Sequence, residues 1–234
     1  MTTRRIGILG GMFDPIHNGH VDVMAAAQAA LELQRVLVVP AHIPPHRAAP
    51  VASSFHRFAM VALAVSGRPG WRVMDLELQE GGPSYTSDTL RRFHAQGFDA
   101  TELFFIIGAD AFLEIETWKN YPGLLNLAHF AVVSRSGISV DKLPGRLPAL
   151  ASRMCANLTM SLSPLIFLID ASTANVSSTA IRDARARCEP ITGLVPQQVW
   201  QHIEQHALYK DPAREADRGA GSTTQPAGRL HGRD

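Results

Sequence analysis

The sequence predicts an α/β protein with a doubly wound, mostly parallel sheet. Short apolar runs, which alternate with segments of helical periodicity, lie near residues 6–9, 36–40, 72–76, 103–107, 130–134 and 166–169. The run Leu103 to Ile107 is apolar throughout, as expected of a strand that helices cover on both faces. Alternation of strands and helices along a chain is typical of this architecture.

The first predicted strand leads through a glycine-containing turn into a helix. The turn contains Gly10, Gly11, Met12 and Phe13, and the Ala-, Leu- and Met-rich segment Val21 to Leu33 indicates the helix. We expect the glycines to take positive φ and to let an anion approach the main chain. The N–H groups at the helix start, near Asn18 and Gly19, favour the same anion. This segment therefore predicts a phosphate site.

Two histidines stand at the start of this helix. His17 and His20 are three residues apart, so both rings can lie on one side of the helix. We expect N–H donors from this pair, and positive charge mainly when a polyphosphate is bound. Zinc needs three or four ligands, and Cys155 and Cys188 are isolated, so we expect no metal site here. The turn also lacks the glycine patterns of dehydrogenases and P-loop ATPases.

A second helix start suited to anions lies late in the chain. Three consecutive hydroxyl residues, Ser177, Ser178 and Thr179, precede Arg182 by one helical turn. Hydroxyl and backbone donors at a helix start, with a guanidinium one turn on, can bind phosphate. The alternative is an ordinary helix cap followed by an exposed arginine.

Other polar residues follow predicted strands or begin helices, and each has a structural alternative. Pro44-Pro45-His46-Arg47 can be a phosphate-binding loop or a surface turn. Asp110 can meet a ribose hydroxyl or a metal-bound phosphate, or cap a helix. Ser84 or Thr86 can cap the next helix. Trp118, which closes a predicted helix with Lys119, can be a core anchor rather than a platform for a base.

Taken together, these segments carry a family resemblance. Gly-Gly-x-Phe-Asp-Pro-x-His-x-Gly-His at residues 10–20 resembles the signature of nucleotidyltransferases that carry an HxGH motif. The segments that follow this motif are similar to those of nicotinate-nucleotide adenylyltransferases. The whole resemblance runs from about Ile6 to Tyr209. The resemblance implies a Rossmann-like nucleotidyltransferase fold. Phosphopantetheine adenylyltransferases share the opening motif, so a different phosphate acceptor is the nearest alternative.

The resemblance implies transfer of AMP from ATP to nicotinate mononucleotide, a step of NAD biosynthesis, with Mg²⁺ carried by ATP. It implies catalytic roles for His17, His20 and Arg182. Binding of ATP or its phosphates is implied for Gly10, Gly11, Met12, Phe13, Gly19, Asp110, Ser177, Ser178 and Thr179. Binding of nicotinate mononucleotide is implied for His46, Arg47, Thr86, Trp118, Lys119 and Arg135. In the family, the aromatic residue at position 118 stacks on the nicotinate ring, and backbone N–H groups at Thr86 and after Trp118 meet its carboxylate.

Alternatives remain at this stage. Nicotinamide mononucleotide can be the preferred acceptor, and a nucleotide-sensing module without turnover is a further hypothesis. The chain also departs from the family pattern at three places. His202 stands where tyrosine is usual, Ser136 where proline is common, and Cys188-Glu189-Pro190 where a glycine is common. We interpret the departure at residue 202 as a matter of packing.

Composition limits the other functions. The chain has 234 residues, of which 46% are hydrophobic, so we expect a single domain over residues 1–210. A net charge of +1 without a basic run argues against nucleic acid as a partner. No apolar stretch is long enough to cross a bilayer, and the N-terminus has no signal-peptide core, so we expect a cytoplasmic protein with no membrane partner. A homo-oligomer remains open. Residues 211–234 have few apolar residues, and we expect a flexible, dispensable tail.

Overall fold

A computed structural model describes residues 4–43, 49–79, 82–135 and 137–211. Its centre is a seven-stranded sheet in the order β3-β2-β1-β4-β5-β7-β6, and every pairing is parallel. The strands are β1 Ile6–Gly11, β2 Arg35–Pro40, β3 Trp71–Val73, β4 Leu103–Gly108, β5 His129–Val133, β6 Met154–Cys155 and β7 Ile166–Ile169. The predicted fold class is confirmed.

Helices cover both faces of this sheet. The α-helices are α1 Asn18–Leu31, α2 Ser54–Val65, α3 Thr86–Ala95, α4 Ala109–Phe112, α5 Leu143–Arg146, α6 Ser178–Ala186 and α7 Gln197–Gln205. One buried cluster joins α1, α2, α6 and α7 to the sheet, and a second joins α3, α4 and α5 to the opposite face. Phe104 and Ile106 of β4 enter the first cluster, whereas Phe105 and Ile107 enter the second. Burial on both faces explains why this strand is apolar throughout.

The order of the strands fixes where a ligand can bind. The chain proceeds from β1 outwards to β2 and β3, and then returns to β4 on the other side of β1. At such a switch point the loops that follow the two central strands diverge and leave a crevice at the carboxyl edge of the sheet. The turn after β1 and the short helix α4 after β4 both lie at this edge. The residues predicted to bind phosphate therefore lie beside the crevice.

Some details differ from the sequence-based expectations. The strand expected near residues 72–76 is Trp71–Val73. The segment between β5 and β7 contains a 3-10 helix, Pro148–Arg153, followed by the edge strand β6, which the apolar runs did not indicate. A strand of two residues has no periodicity that a sequence could reveal. Among the helices in the described ranges, none is long and apolar enough to cross a membrane.

Candidate active site

A buried carboxylate organises the turn between β1 and α1. Asp14 is 2% exposed and accepts hydrogen bonds from the backbone N–H groups of Val51 at 2.7 Å and Ala52 at 3.1 Å. The hydroxyl of Tyr209 donates to the same carboxylate at 2.8 Å. Asp14 therefore connects the turn to the segment before α2 and to Tyr209, which follows α7. No local pattern in the sequence indicates this role, although Asp14 and Tyr209 both lie within the part of the chain that carries the family resemblance.

A buried arginine supports the same turn from α2. Arg57 is 1% exposed, and its Nη1 donates to the carbonyl oxygens of Met12 at 2.8 Å and Ala41 at 2.6 Å. Burial lowers the pKa of this guanidinium, and the nearby charge of Asp14 opposes that shift. An arginine within an otherwise apolar helix face was the signal available in the sequence. Its contacts show that it fixes the backbone of two adjacent loops.

The glycines of the turn act differently from the expectation. Gly10 and Gly11 belong to β1 and do not have positive φ, so that prediction is wrong. The left-handed residue is Phe13, at φ 49°, and its ring is buried in the core. A Cβ atom on Gly11 would lie 2.9 Å from that ring. Gly11 is therefore needed for packing of the buried ring of Phe13.

His17 and His20 stack against each other at the start of α1, as expected. Their ring centroids are 3.7 Å apart, with 25° between the planes. Nδ1 of His20 accepts the backbone N–H of His17 at 3.2 Å, which places the proton of the neutral ring on Nε2. Burial, together with the charge of Arg135, lowers the pKa of His17 to about 3. His17 is therefore a neutral imidazole at neutral pH.

The backbone at the start of α1 is largely occupied. The N–H of Asn18 donates to the carbonyl of Leu194 at 2.9 Å, and that of His20 donates to the carbonyl of His17. A Cβ atom on Gly19 would lie 2.8 Å from the carbonyl oxygen of Ala174. The N–H of Asn18, which was expected to favour an anion at this helix start, is therefore already bonded within the protein.

The second predicted anion site joins the first directly. Ser177 caps α6 by accepting the N–H of Ala180 at 3.1 Å. Ser178 donates its hydroxyl to the carbonyl of Pro15 at 2.9 Å. The N–H groups of Ser178 and Thr179, as the first two of α6, have no acceptor within the helix. The starts of α1 and α6 therefore form one site.

Arg182 lies at this joint. Its Nη1 donates to the carbonyl of Asp14 at 2.7 Å, and its Nη2 donates to Oγ1 of Thr179 at 3.3 Å. The guanidinium is 25% exposed and lies 4.0 Å from the carboxylate of Asp14. Arg182 is thus not simply an exposed arginine after a helix cap. It links the turn after β1 to the start of α6.

Asp110 and Arg135 close the site from β4 and β5. Gly108 is the N-cap of α4, so Asp110 does not cap this helix. Oδ1 of Asp110 is buried without a hydrogen-bond partner among the described residues, and Oδ2 lies 3.9 Å from Nη1 of Arg135. Arg135 also donates to the carbonyl of Val176 at 3.3 Å. The guanidinium of Arg135 and the carboxylate of Asp110 therefore lie beside the segments that were predicted to bind phosphate.

A second group of predicted residues meets at the start of α3. The ammonium of Lys119 donates to Asp88 at 2.9 Å and lies 4.0 Å above the ring of Tyr85. Trp118 contacts the edge of Phe105, with 6.1 Å between the ring centroids, and is half-buried. Thr86 is the first residue of α3, so its N–H has no acceptor within the helix. The structure thus brings Thr86, Trp118 and Lys119 together.

Three smaller expectations have mixed outcomes. Neither Ser84 nor Thr86 caps α3, because Tyr85 is the N-cap and Ser84 instead accepts the N–H of His42. Trp118 follows a 3-10 helix, Ile115–Thr117, rather than closing an α-helix. The predicted acceptor residues His46 and Arg47 lie outside the described residues.

Comparison with known proteins shows which family this chain resembles. A family model described as cytidylyltransferase-like matches residues 8–184. A probable nicotinate-nucleotide adenylyltransferase of Geotalea daltonii is 40% identical over 214 residues, which cover 88% of this chain and 99% of that protein. One from Roseiflexus sp. is 39% identical over 211 residues, or 90% of this chain and 100% of that protein.

A solved structure shares the fold. The Plasmodium falciparum nicotinic acid mononucleotide adenylyltransferase complexed with NaAD superposes with a TM-score of 0.68 at 20% identity. The match covers 88% of this chain and 97% of that one. The parallel sheet and its flanking helices are therefore shared by proteins whose sequences differ at most positions.

Proposed function

Because this chain belongs to the nicotinate-nucleotide adenylyltransferase family, we propose that it transfers AMP from ATP to the 5′-phosphate of nicotinate mononucleotide. The products are nicotinate adenine dinucleotide and pyrophosphate. Family membership confirms the resemblance that the motifs predicted. The observation that carries the proposal is the direct joint between the starts of α1 and α6, where Ser178 and Arg182 bond to the carbonyls of Pro15 and Asp14.

The proposed reaction is a direct displacement at the α-phosphorus of ATP. An oxygen of the acceptor's phosphate forms the new bond to phosphorus while the bond to the β-phosphate breaks, and its electron pair leaves with pyrophosphate. No covalent enzyme intermediate is needed. The enzyme has to align two polyanions and to offset the negative charge that develops on the leaving group.

The histidine pair is suited to donate hydrogen bonds to the triphosphate. Because Nδ1 of His20 accepts from the backbone, its ring proton is held on Nε2 in a fixed orientation. The stacked ring of His17, kept neutral by burial, limits the positions that His20 can take. A donor fixed before the reaction stabilises developing charge without reorganising.

The second segment supplies donors for the rest of the triphosphate. The backbone N–H groups of Ser178 and Thr179 lie at the positive end of the α6 dipole. Arg182 and Arg135 add two guanidinium groups on either side of this helix start. We assign to Ser177, Ser178, Thr179 and Arg182 the binding of the β- and γ-phosphates, which leaves the α-phosphorus accessible to the acceptor.

The residues present fit a magnesium ion that arrives with ATP. Mg²⁺ is held mostly by phosphates and water, with one or two carboxylates, and here Asp110 offers one carboxylate whose Oδ1 has no partner among the described residues. When bound, the ion would neutralise charge on the phosphates. Asp110 is therefore assigned to a hydroxyl of the ribose or to water on this ion.

The pocket around α3 is assigned to the acceptor. An anionic carboxylate is favoured at the start of a helix of ten residues, where the N–H of Thr86 lies. The half-buried Trp118 offers a ring for stacking on the pyridine. Lys119 adds positive charge to this pocket, although Asp88 compensates part of it. This arrangement favours nicotinate over nicotinamide mononucleotide.

An acceptor panel tests the proposal. Purified enzyme with ATP and Mg²⁺ is given nicotinate mononucleotide, nicotinamide mononucleotide or phosphopantetheine, and pyrophosphate release is measured. We expect the highest kcat/KM with nicotinate mononucleotide, because the amide lacks the charge that the pocket favours. A higher kcat/KM with another acceptor would contradict the assigned substrate. Saturable ATP binding without pyrophosphate release from any acceptor would contradict catalysis altogether.

A further inference from the structure

Three histidines outside the proposed active site meet where α2 packs against α7. His56 lies in the first turn of α2, whereas His202 and His206 lie four residues apart at the end of α7. Nδ1 of His56 is 3.1 Å from Nε2 of His202, and the ring centroids of His202 and His206 are 4.4 Å apart. One nitrogen from each ring lies within 4.8 Å of the others. We propose that these three histidines are the ligands of a divalent transition-metal ion, and that the ion is Zn²⁺.

The spacing of the rings is close to that of a zinc site. Tetrahedral zinc with bonds of about 2.0–2.1 Å holds its ligand nitrogens about 3.3 Å apart. The His56 and His202 nitrogens already have nearly this separation, at 3.1 Å. His206 is exposed, so rotation of its side chain can bring its nitrogen closer without disturbing the core. Water would complete the coordination, as in zinc sites with three protein ligands.

The kind of side chain in the cluster suits a transition-metal ion. Metal ligation requires neutral imidazoles. Burial, with His206 and His56 nearby, lowers the pKa of His202. The nearest acidic residue on α7, Glu204, is engaged by Arg185 at 3.0 Å. Imidazole ligands without carboxylates suit Zn²⁺, Cu²⁺ or Ni²⁺ and disfavour Mg²⁺ or Ca²⁺.

The position of the cluster gives the ion a structural role. His56 is next to Arg57, which holds the carbonyl of Met12, and α7 is followed by Tyr209, which donates to Asp14. An ion shared by α2 and α7 would therefore cross-link the two elements that support the turn between β1 and α1. It would stabilise the folded protein without contacting the reacting phosphates.

Only part of this cluster can be recognised from the sequence. Histidines at positions 202 and 206 form an i, i+4 pair on one face of a helix, which can be recognised from spacing alone. The structure shows that His202 also contacts two other imidazoles, so its presence in place of tyrosine is not a matter of packing alone. The third histidine is 146 residues away in the chain, and only the packing of α2 against α7 brings it close.

Metal titration of the full chain tests this proposal. Protein without a histidine tag is stripped with a chelator and titrated with Co²⁺, whose visible spectrum reports tetrahedral nitrogen ligation, and then with Zn²⁺ in competition. The same titration is made with His206→Gln and with His202→Tyr. The matched control is Gln205→Ala, an exposed change on the same helix end that removes no imidazole.

We expect one equivalent of Co²⁺, displaced by Zn²⁺, in the wild type and in Gln205→Ala. Loss of one ligand should weaken binding at least about tenfold in both histidine variants, since even indirect changes at metal sites cost that much. Zinc at about a hundred times its Kd should raise the Tm of the wild type by roughly 5–10 °C. Adenylyl transfer with Mg²⁺ should be equal in all four proteins.

Two results would overturn the proposal. The first is the absence of any Co²⁺ or Zn²⁺ binding at micromolar concentration. The second is equal affinity in the wild type and in His206→Gln, which would place the ion elsewhere, for example at His17 and His20. Because His206 is exposed, His206→Gln folds whether or not His202→Tyr does. Neither result depends on which acceptor the enzyme uses.

Discussion

Replacing Tyr209 by phenylalanine tests the contact between the end of the fold and the turn after β1. The hydroxyl of Tyr209 donates to Asp14 at 2.8 Å, and both residues are buried. A hydrogen bond to a charged group contributes about 1.5–3 kcal/mol. The carboxylate keeps its bonds to the N–H groups of Val51 and Ala52, so we expect the lower part of this range, about 1.5–2 kcal/mol.

The assay is equilibrium unfolding in urea at neutral pH, with thermal unfolding alongside. For a chain of this size the expected loss lowers Tm by roughly 3–8 °C. Tyr121→Phe is the matched control, because its hydroxyl donates to Glu116 at 3.2 Å on the exposed surface. We expect the control to stay within about 0.5 kcal/mol of the wild type. Equal unfolding free energies for the two variants would refute the reasoning.

Three further experiments concern other parts of the chain. Gly19→Ala should lose about 1–3 kcal/mol of stability and most adenylyl transfer, because its Cβ would lie 2.8 Å from the carbonyl oxygen of Ala174. Gly123→Ala, with open space around its Cβ, should change neither property, and equal behaviour of the two variants would contradict the argument. Burial lowers the pKa of His129 to about 4, so the unfolded chain binds a proton below pH 6.5 that the folded chain does not. The unfolding free energy should therefore fall as pH decreases from 6.5 towards 4, with up to about 1.4 kcal/mol per pH unit from this residue. Urea unfolding at pH 6.5 and 5 should show a smaller loss in His129→Gln, and an unchanged loss would exclude this cause. Deleting residues 211–234 should leave kcat/KM unchanged, since this segment has few apolar residues to bury, and loss of activity in the purified truncation would count against it.

The fold could be predicted because its strands are buried on both faces. Phe104 to Ile107 must be apolar at every position, and such a run is visible without any alignment. The edge strand β6 could not be predicted, because Met154 and Cys155 are half-buried and too few to show a pattern. Where burial is continuous the sequence is informative, and at the edge of the sheet it is not.

The site could be predicted only in part. Residues that begin helices, such as His17, His20 and Ser177, are recognisable from local order and spacing. Asp14 and Tyr209 meet across 195 residues of chain, and no local pattern specifies that contact. The usual preference of positive φ for glycine also led to a wrong prediction, because Phe13 and not Gly10 or Gly11 has this conformation. The tertiary contacts that support Phe13 override the usual preference of that conformation for glycine.

We propose that preorganised donors at the joined starts of α1 and α6 stabilise the reacting triphosphate, and His20→Ala removes one of these donors. The measurement is the rate of pyrophosphate release with saturating ATP, Mg²⁺ and nicotinate mononucleotide, in protein whose Tm matches that of the wild type. Loss of one such donor should lower kcat on the order of 10²–10³-fold, or about 3–4 kcal/mol. A folded His20→Ala enzyme with kcat within about threefold of the wild type, far below the loss expected for such a donor, would contradict the account.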